Sequence, residues 1–353
     1  MPDPDRDRLR VVVASPLPED LCRLIEEREP RVELVRDQAL YPPMRHPADH
    51  EGDPDFSRTP EQQRAFEEMV DSAEALYGIP DVDPAALKRT ADANPGLRWV
   101  HTMAAGGGSS VKAAGLDPDQ LERIVFTTSA GVHGGPLAEF AVFGVLAGAK
   151  DLPRLQRHQR DHEWSGRWLM RRVEGMTVLV VGLGGIGREV ARRLAALGAT
   201  SIGTSRHGRP VEHVERVVGP DEIAAVVGEV DAIVVTVPGT AATEKLIGAD
   251  VLAAVRPGTT LVNVGRGTVV DEDALVPALR DGRIGLAVLD VFATEPLPAD
   301  SPLWDEPNVV ISPHTAALDA TEERRIAELF ADNATRLLDG QELRNVVDTV
   351  DFY

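Results

Sequence analysis

From Met176 to Arg209 the chain reads MTVLVVGLGGIGREVARRLAALGATSIGTSRHGR, an apolar run, a glycine turn, an amphipathic stretch and a second apolar run. Few folds accept that succession. Val178 to Val181 are continuously apolar, as a parallel strand buried on both faces requires, and Gly182, Gly184 and Gly187 follow in G-x-G-x-x-G spacing. Gly182 permits the tight turn, Gly184 lets the backbone approach a pyrophosphate, and Gly187 lets the next helix pack closely on the sheet. A helix is predicted from Ile186 to Leu197, closed by Gly198, and its first turn, with Gly185 and Ile186, offers open N–H groups to phosphates. The stretch therefore predicts a dinucleotide-binding strand–turn–helix–strand.

The end of the second apolar run bears on which dinucleotide. An NAD site usually carries an Asp or Glu there to hold the adenosine ribose hydroxyls. Here the residues are Thr204, Ser205, Arg206, His207, Gly208 and Arg209. No carboxylate would repel a 2′-phosphate, and Ser205 and Arg206 could grip one. NADP is the expected cofactor, with NAD possible.

A net charge of −20 over 353 residues argues against nucleic acid or an anionic membrane as partner, because the surface field repels both. The single cysteine, Cys22, excludes a disulfide framework and is expected to pack on a helix. The opening MPDPDRDRLR lacks the apolar core of a signal peptide, and no apolar stretch is long enough to span a bilayer. A cytoplasmic protein is expected.

Ahead of the glycine turn, LRVVVA, a helix over Pro18–Glu29 and VELV form a strand–helix–strand without a glycine fingerprint, which suggests a smaller α/β domain. From Asp37 to Pro60 the sequence turns to Pro, His, Asp and Arg with neither helical nor strand period, a long loop whose Tyr41, Met44 and Arg45 could reach a substrate. The strand LRWVHT runs into AAGGGSS, where Ala105, Gly106 and Gly107 present backbone N–H groups able to hold a carboxylate, with Tyr77 and Gly78 on the neighbouring strand end. A long apolar helix with Pro136 at its start precedes RLQRHQRDHEWSGRWLMRRVEG, too polar for a core helix, whose tryptophans suggest an exposed self-association arm.

Beyond Arg209, strands and helices alternate as in a doubly wound parallel sheet, in which ligands sit at the carboxyl ends of the strands. Those ends carry Val237 and Pro238, then Gly265–Arg266–Gly267, then Asp290 with Glu295 beyond, and finally His314. An Arg can hold an α-keto carboxylate in a two-pronged bond, and a His can pass a proton to or from the adjacent oxygen. A Glu beside the His stabilises the imidazolium and fixes which nitrogen faces the substrate.

The run NVGRGTVVDEDALVPALRDGRIGLAVLDVFATEPLP followed by NVVISPHTAA, together with VGLGGIG and TVPGTAAT, resembles the D-isomer-specific 2-hydroxyacid dehydrogenase family, in its glyoxylate/hydroxypyruvate reductase-like branch. The resemblance runs from about residue 97 to the end. It implies two Rossmann-like domains, a doubly wound cofactor domain (136–317) inserted into a smaller flavodoxin-like catalytic domain (1–135 and 318–353), and a homodimer. By it, Arg266 would bind the substrate carboxylate and carbonyl, His314 would be the acid/base and Glu295 its partner. Asp290 and the backbone near Val264 would contact the nicotinamide amide, while Val237 and Pro238 would line the cofactor ribose. The formate dehydrogenase branch is disfavoured, since it carries Gln where Glu295 stands. A dinucleotide-sensing dimeric interaction protein is the alternative from another class. The AAGGGSS loop and the 37–60 insertion depart from the family pattern, which leaves the particular 2-oxo acid open.

Overall fold

The structure is a computed structural model that describes residues 8–350 and 352, so the first seven residues of the tract read for targeting signals lie outside it. The chain divides into two compact units, one comprising the residues up to His133 together with those from Leu318 onward, the other Gly134–Ala317.

The first unit begins with β1 (Leu9–Val13), α1 (Glu19–Arg28) and β2 (Val32–Val35), followed after the 37–60 loop by α2 (Pro60–Asp71), β3 (Ala75–Tyr77), α3 (Pro84–Ala93), β4 (Trp99–Thr102), α4 (Gly108–Ala114), α5 (Pro118–Arg123) and β5 (Val125–Thr128). Its five parallel strands take the order β2-β1-β3-β4-β5, the flavodoxin-like arrangement. In α1, Leu21, Cys22 and Ile25 fall on one face and are buried, which is the helical period expected there. Burial pushes the Cys22 thiol up to about 12. α2 starts where the sequence can cap it: the Thr59 hydroxyl accepts from Gln62 N, the Gln62 side chain accepts from Thr59 N, and Pro60 takes the first helical position.

The second unit contains α6 (Gly134–Ala149), α7 (Leu152–Arg160), β6 (Thr177–Val181), α8 (Gly185–Ala196), β7 (Thr200–Thr204), β8 (Arg216–Val218), α9 (Ile223–Val226), β9 (Ala232–Val235), α10 (Ala249–Ala254), β10 (Thr259–Asn263), α11 (Glu272–Arg280), β11 (Ile284–Leu289) and β12 (Val309–Ile311). The chain then returns to the first unit in α12 (Glu322–Leu338). There Phe330 stacks on Trp99, with ring centroids 4.5 Å apart, and is fully buried. Burial of a ring of that size stabilises the unit by roughly 2–3 kcal/mol.

The seven parallel strands of the second unit run β12-β11-β10-β9-β6-β7-β8, doubly wound about β6 and β9. Along β6, Val178 and Val180 enter one core and Leu179 and Val181 the other, so the unbroken apolar run has apolar neighbours on both faces. α6 lies close on β10: a Cβ at Gly144 would stand 2.6 Å from Val262 Cγ2, and one at Gly148 would stand 1.9 Å from Thr260 Oγ1. α7 has no buried residue, and the segment after it leaves Trp164 and Leu169 almost wholly exposed. No helix of the described residues is long and apolar enough to cross a membrane.

Candidate active site

The glycine turn is built as its spacing demands. Gly182 has a φ of +99°, a conformation that penalises a side chain, and its N–H donates to Thr204 Oγ1 at 2.9 Å. A Cβ on Gly187 would lie 1.9 Å from the Gly182 carbonyl oxygen, so the first turn of α8 can sit this close to the strand end only with glycine there. Around Gly184 and Gly185, by contrast, an added Cβ would meet nothing within 4 Å, and the helix start carries no side-chain cap. That opening in front of uncapped N–H groups is what a pyrophosphate requires, so these residues fit a dinucleotide. Ile186 is half-buried behind them.

At the end of β7, Thr204 is buried while Ser205 and Arg206 lead out to the surface. The Ser205 N–H donates to Val218 O (3.0 Å) and its hydroxyl accepts from His207 N (3.3 Å), which forms the turn that carries Arg206. Val237, at the end of β9, stands against the glycine turn, and a Cβ on Gly182 would lie 2.5 Å from its Cγ1. Pro238 is exposed beside it, and its carbonyl accepts from the Thr243 hydroxyl at 2.6 Å. Val264 is buried, with its N–H donated to Val235 O at 3.1 Å.

Three strand ends present the ionisable groups. Asn263 of β10, Leu289 of β11 and Ile311 of β12 pair in register, so the loops that follow them leave one edge of the sheet side by side. After β10, the Asn263 side chain accepts from Gly265 N and donates to Arg266 O, both at 3.0 Å, and this closes the turn that presents Arg266. The guanidinium is exposed, with Nη1 donating to Gly265 O at 2.8 Å. Gly267 is pressed against the neighbouring loop: a Cβ there would stand 1.8 Å from the carbonyl carbon of Phe292. Phe292 N in turn donates to Glu295 Oε1 at 2.9 Å.

Glu295 Oε2 lies 2.7 Å from His314 Nδ1, and both side chains remain part-exposed. With Nδ1 so engaged, Nε2 is the ring nitrogen left to meet a substrate. His314 takes a φ of +54°, and its N–H donates to the Asp290 carbonyl at 2.9 Å. The Asp290 carboxylate is 1% exposed, and its Oδ1 accepts from Ser312 Oγ (2.5 Å), Thr315 N (2.9 Å) and Ala316 N (3.0 Å). Asp290 thus holds the turn that positions His314. Asn263 and Ser312 share this work and were missed by the sequence reading. An Asn ending an apolar strand just before Gly265 was the available signal.

The candidates in the first unit are less uniform. Tyr77 requires correction: its side chain is fully buried and meets Phe330 edge-on with centroids 5.1 Å apart, so it packs the core and is not presented to a ligand. Gly78 (φ +93°) spends its N–H on His101 O at 2.9 Å, leaving its carbonyl and its lack of a side chain. Ala105 and Gly106 are exposed at the tip of the loop after β4. Gly107 is buried, its N–H donates to Ala104 O at 3.2 Å, and a Cβ there would collide with Thr102 Oγ1 at 1.8 Å.

The 37–60 loop is irregular, as expected, but internally tied. Arg45 pairs with Asp49 at 2.7 Å, Asp49 accepts from Gly52 N, and Arg58 bonds Leu40 O and Asp81 while lying 3.7 Å from the centre of the Phe66 ring. The Tyr41 side chain is buried and its hydroxyl donates to Val13 O at 2.8 Å, so the reading of Tyr41 as a substrate contact is corrected: it fastens the loop.

Residues 142–316 match the family described as D-isomer specific 2-hydroxyacid dehydrogenase, NAD binding domain. A glyoxylate/hydroxypyruvate reductase B of Yersinia enterocolitica is 35% identical over 292 residues, covering 79% of this chain and 85% of that one. A glyoxylate reductase of Korarchaeum cryptofilum is 32% identical, covering 82% and 87%. This chain belongs to the D-isomer specific 2-hydroxyacid dehydrogenase family. A family member from Xanthobacter autotrophicus Py2, solved in complex with NADPH and MES, superposes with a TM-score of 0.76 at 28% identity over 98% of this chain and 100% of that one. As a 2-hydroxyacid dehydrogenase, the protein is an NAD(P)-dependent oxidoreductase, with its dinucleotide fingerprint in the second unit.

Proposed function

We propose that this dehydrogenase reduces a small 2-oxo acid of the glyoxylate or hydroxypyruvate type to the D-2-hydroxy acid, that it prefers NADP, and that Arg266, Glu295 and His314 are its catalytic residues. The observation that carries the reading is the 2.7 Å contact between His314 Nδ1 and Glu295 Oε2 on a strand end next to that of Arg266. When bound, the reduced nicotinamide supplies a hydride to the carbonyl carbon. His314 Nε2 donates the proton that the carbonyl oxygen takes up, and it is reprotonated from water. Glu295 keeps Nδ1 protonated and offsets the imidazolium charge while the proton is held. Arg266 grips the carboxylate and draws the carbonyl toward His314.

The first unit serves as substrate domain, with the exposed Ala105–Gly106 tip as its backbone contact to the acid. NADP preference rests on Arg206 and Ser205 at the end of β7, with no carboxylate between Thr204 and Pro210. The relatives named glyoxylate and hydroxypyruvate reductases, and the Xanthobacter protein's NADPH, support both choices. Exposed Trp164 and Leu169 make the segment after α7 the self-association surface of a homodimer. The lone buried cysteine suits a reducing compartment such as the cytoplasm.

The test is turnover. Purified protein with NADPH and glyoxylate, hydroxypyruvate or pyruvate should consume the reduced cofactor, with higher kcat/KM for NADPH than for NADH. Absence of consumption with every 2-oxo acid tried would overturn the assignment.

A further inference from the structure

Away from the strand-end site, the second unit holds a cavity of about 520 Å³ lined by Arg154, Arg157 and Arg160 of α7 and by Arg280 at the end of α11, with Asp151 and Glu306 as the carboxylates on its wall. Its floor includes Gly285, near the start of β11, and Asn308, just ahead of β12. It therefore opens at the amino ends of strands on one edge of the sheet. The dinucleotide turn follows the carboxyl end of β6, and Arg206 lies toward the other edge, after β7. The two places cannot share one bound molecule.

The cations are not all matched. Arg280 pairs with Glu306 at 2.7 Å, and the Arg154 guanidinium lies 4.1 Å from the centre of the Trp168 ring. The guanidiniums of Arg157 and Arg160 have no carboxylate partner among the described residues. In a chain carrying 57 acidic against 37 basic side chains, four arginines around one cavity are a local reversal of charge.

Helix propensity does not require them. Arg154, Arg157 and Arg160 recur every three residues and so fall within a stripe of about 120° on one side of α7. Like charges at that spacing repel by a few tenths of a kcal/mol per pair. The helix buries no residue that would compensate. The helix dipole favours Arg157 and Arg160 in the last turn, but it explains neither Arg154 in the first half nor Arg280 across the cavity.

We propose that this cavity binds a small phosphorylated anion, of sugar-phosphate to mononucleotide size, at a second site on the dehydrogenase. Guanidinium forks match phosphate oxygens in paired bonds, and a dianion would remove the repulsion along α7. Pro153 and Leu279 supply an apolar wall for the organic part of the molecule.

Calorimetric titration of inorganic pyrophosphate and of AMP into the full-length protein, with NAD+ in excess to fill the dinucleotide site, tests this. The double variant R157A/R160A removes the two unmatched cations from exposed positions. Arg280 is left in place, because its loss would strand Glu306. Wild type and R206A should bind AMP alike, and the double variant at least about tenfold more weakly. No binding by wild type overturns the proposal. So does loss in R206A with retention in the double variant, which would place the anion on the dinucleotide site. A double variant that changes subunit assembly instead of anion affinity would make the cavity an interface between copies and would equally overturn it.

Discussion

His314 Nδ1 and Glu295 Oε2 stand 2.7 Å apart across 19 residues of sequence, and each partner is held by a second bond from the loop that follows β11: Glu295 through the Phe292 N–H, His314 through the Asp290 carbonyl. The pair is a product of strand register, since β11 and β12 end together at Leu289 and Ile311.

Replacing His314 by Asn should lower kcat for 2-oxo acid reduction by about 10³-fold or more, while NADPH affinity changes little. Stopped-flow turnover alongside cofactor fluorescence titration checks both. A parallel loss of cofactor binding would make His314 a structural residue.

Glu295→Gln keeps the shape of the side chain and one acceptor but removes the charge opposite His314. A loss of about 10²-fold in kcat with a nearly unchanged KM is expected, because the interaction matters most once the proton is in flight. An equal rise in KM would instead indicate a displaced loop.

Arg206→Ala should weaken NADPH by about tenfold or more and leave NADH nearly unaffected, as expected for the loss of a charge-assisted phosphate contact. Titration with both reduced cofactors decides it. Equal losses would end the NADP assignment.

Gly267→Ala puts a methyl where only 1.8 Å separates it from the Phe292 carbonyl carbon. The turn bearing Arg266 must then move off the loop bearing Glu295. A drop in Tm corresponding to about 2 kcal/mol or more and a large fall in kcat/KM should appear together.

Acid stability should fall in two windows. His101 is fully buried with both ring nitrogens bonded to the hydroxyls of Thr127 and Ser129, and burial lowers its pKa to about 3. Burial likewise lowers His50 to about 4, in an environment that includes Glu322, His133 and Asp49. Both start from 6.5, so between that pH and their folded values the unfolded chain binds more protons than the folded one. Stability is complete above about 6.5 and declines as pH falls toward 4, by roughly 3 kcal/mol per histidine. Glu29, held near 2 chiefly by its bonds to Arg31, keeps its contribution above 4.5 and loses it only below. Calorimetric scans of wild type and of His50→Gln should diverge in the upper window and run parallel in the lower one.

Residues whose role is written in local spacing were legible from sequence. Gly182, Gly184 and Gly187 announced the turn, and the apolar run of β6 announced a strand covered on both sides. The strand-end Arg266, Glu295 and His314 followed from family resemblance and topology. Tyr77 was misjudged because alternation along a three-residue strand cannot say which face meets α12, and Phe330 lies more than 250 residues away. α4 and α5 passed unnoticed, being short and rich in glycine and serine or opened only by the Asp117–Gln120 capping box. The supporting bonds of Asn263, Ser312 and Asp290 depend on three loops arriving together, which local pattern does not encode.

The solitary thiol of Cys22 is sealed inside α1's apolar face and, held near 12, is almost never a thiolate at neutral pH. Because the chain has no other cysteine, an alkylating reagent has a single target, and that target lies in the first unit alone. The rate at which a maleimide consumes it in increasing urea is therefore a clock for the opening of that unit, read without interference from the dinucleotide-binding half.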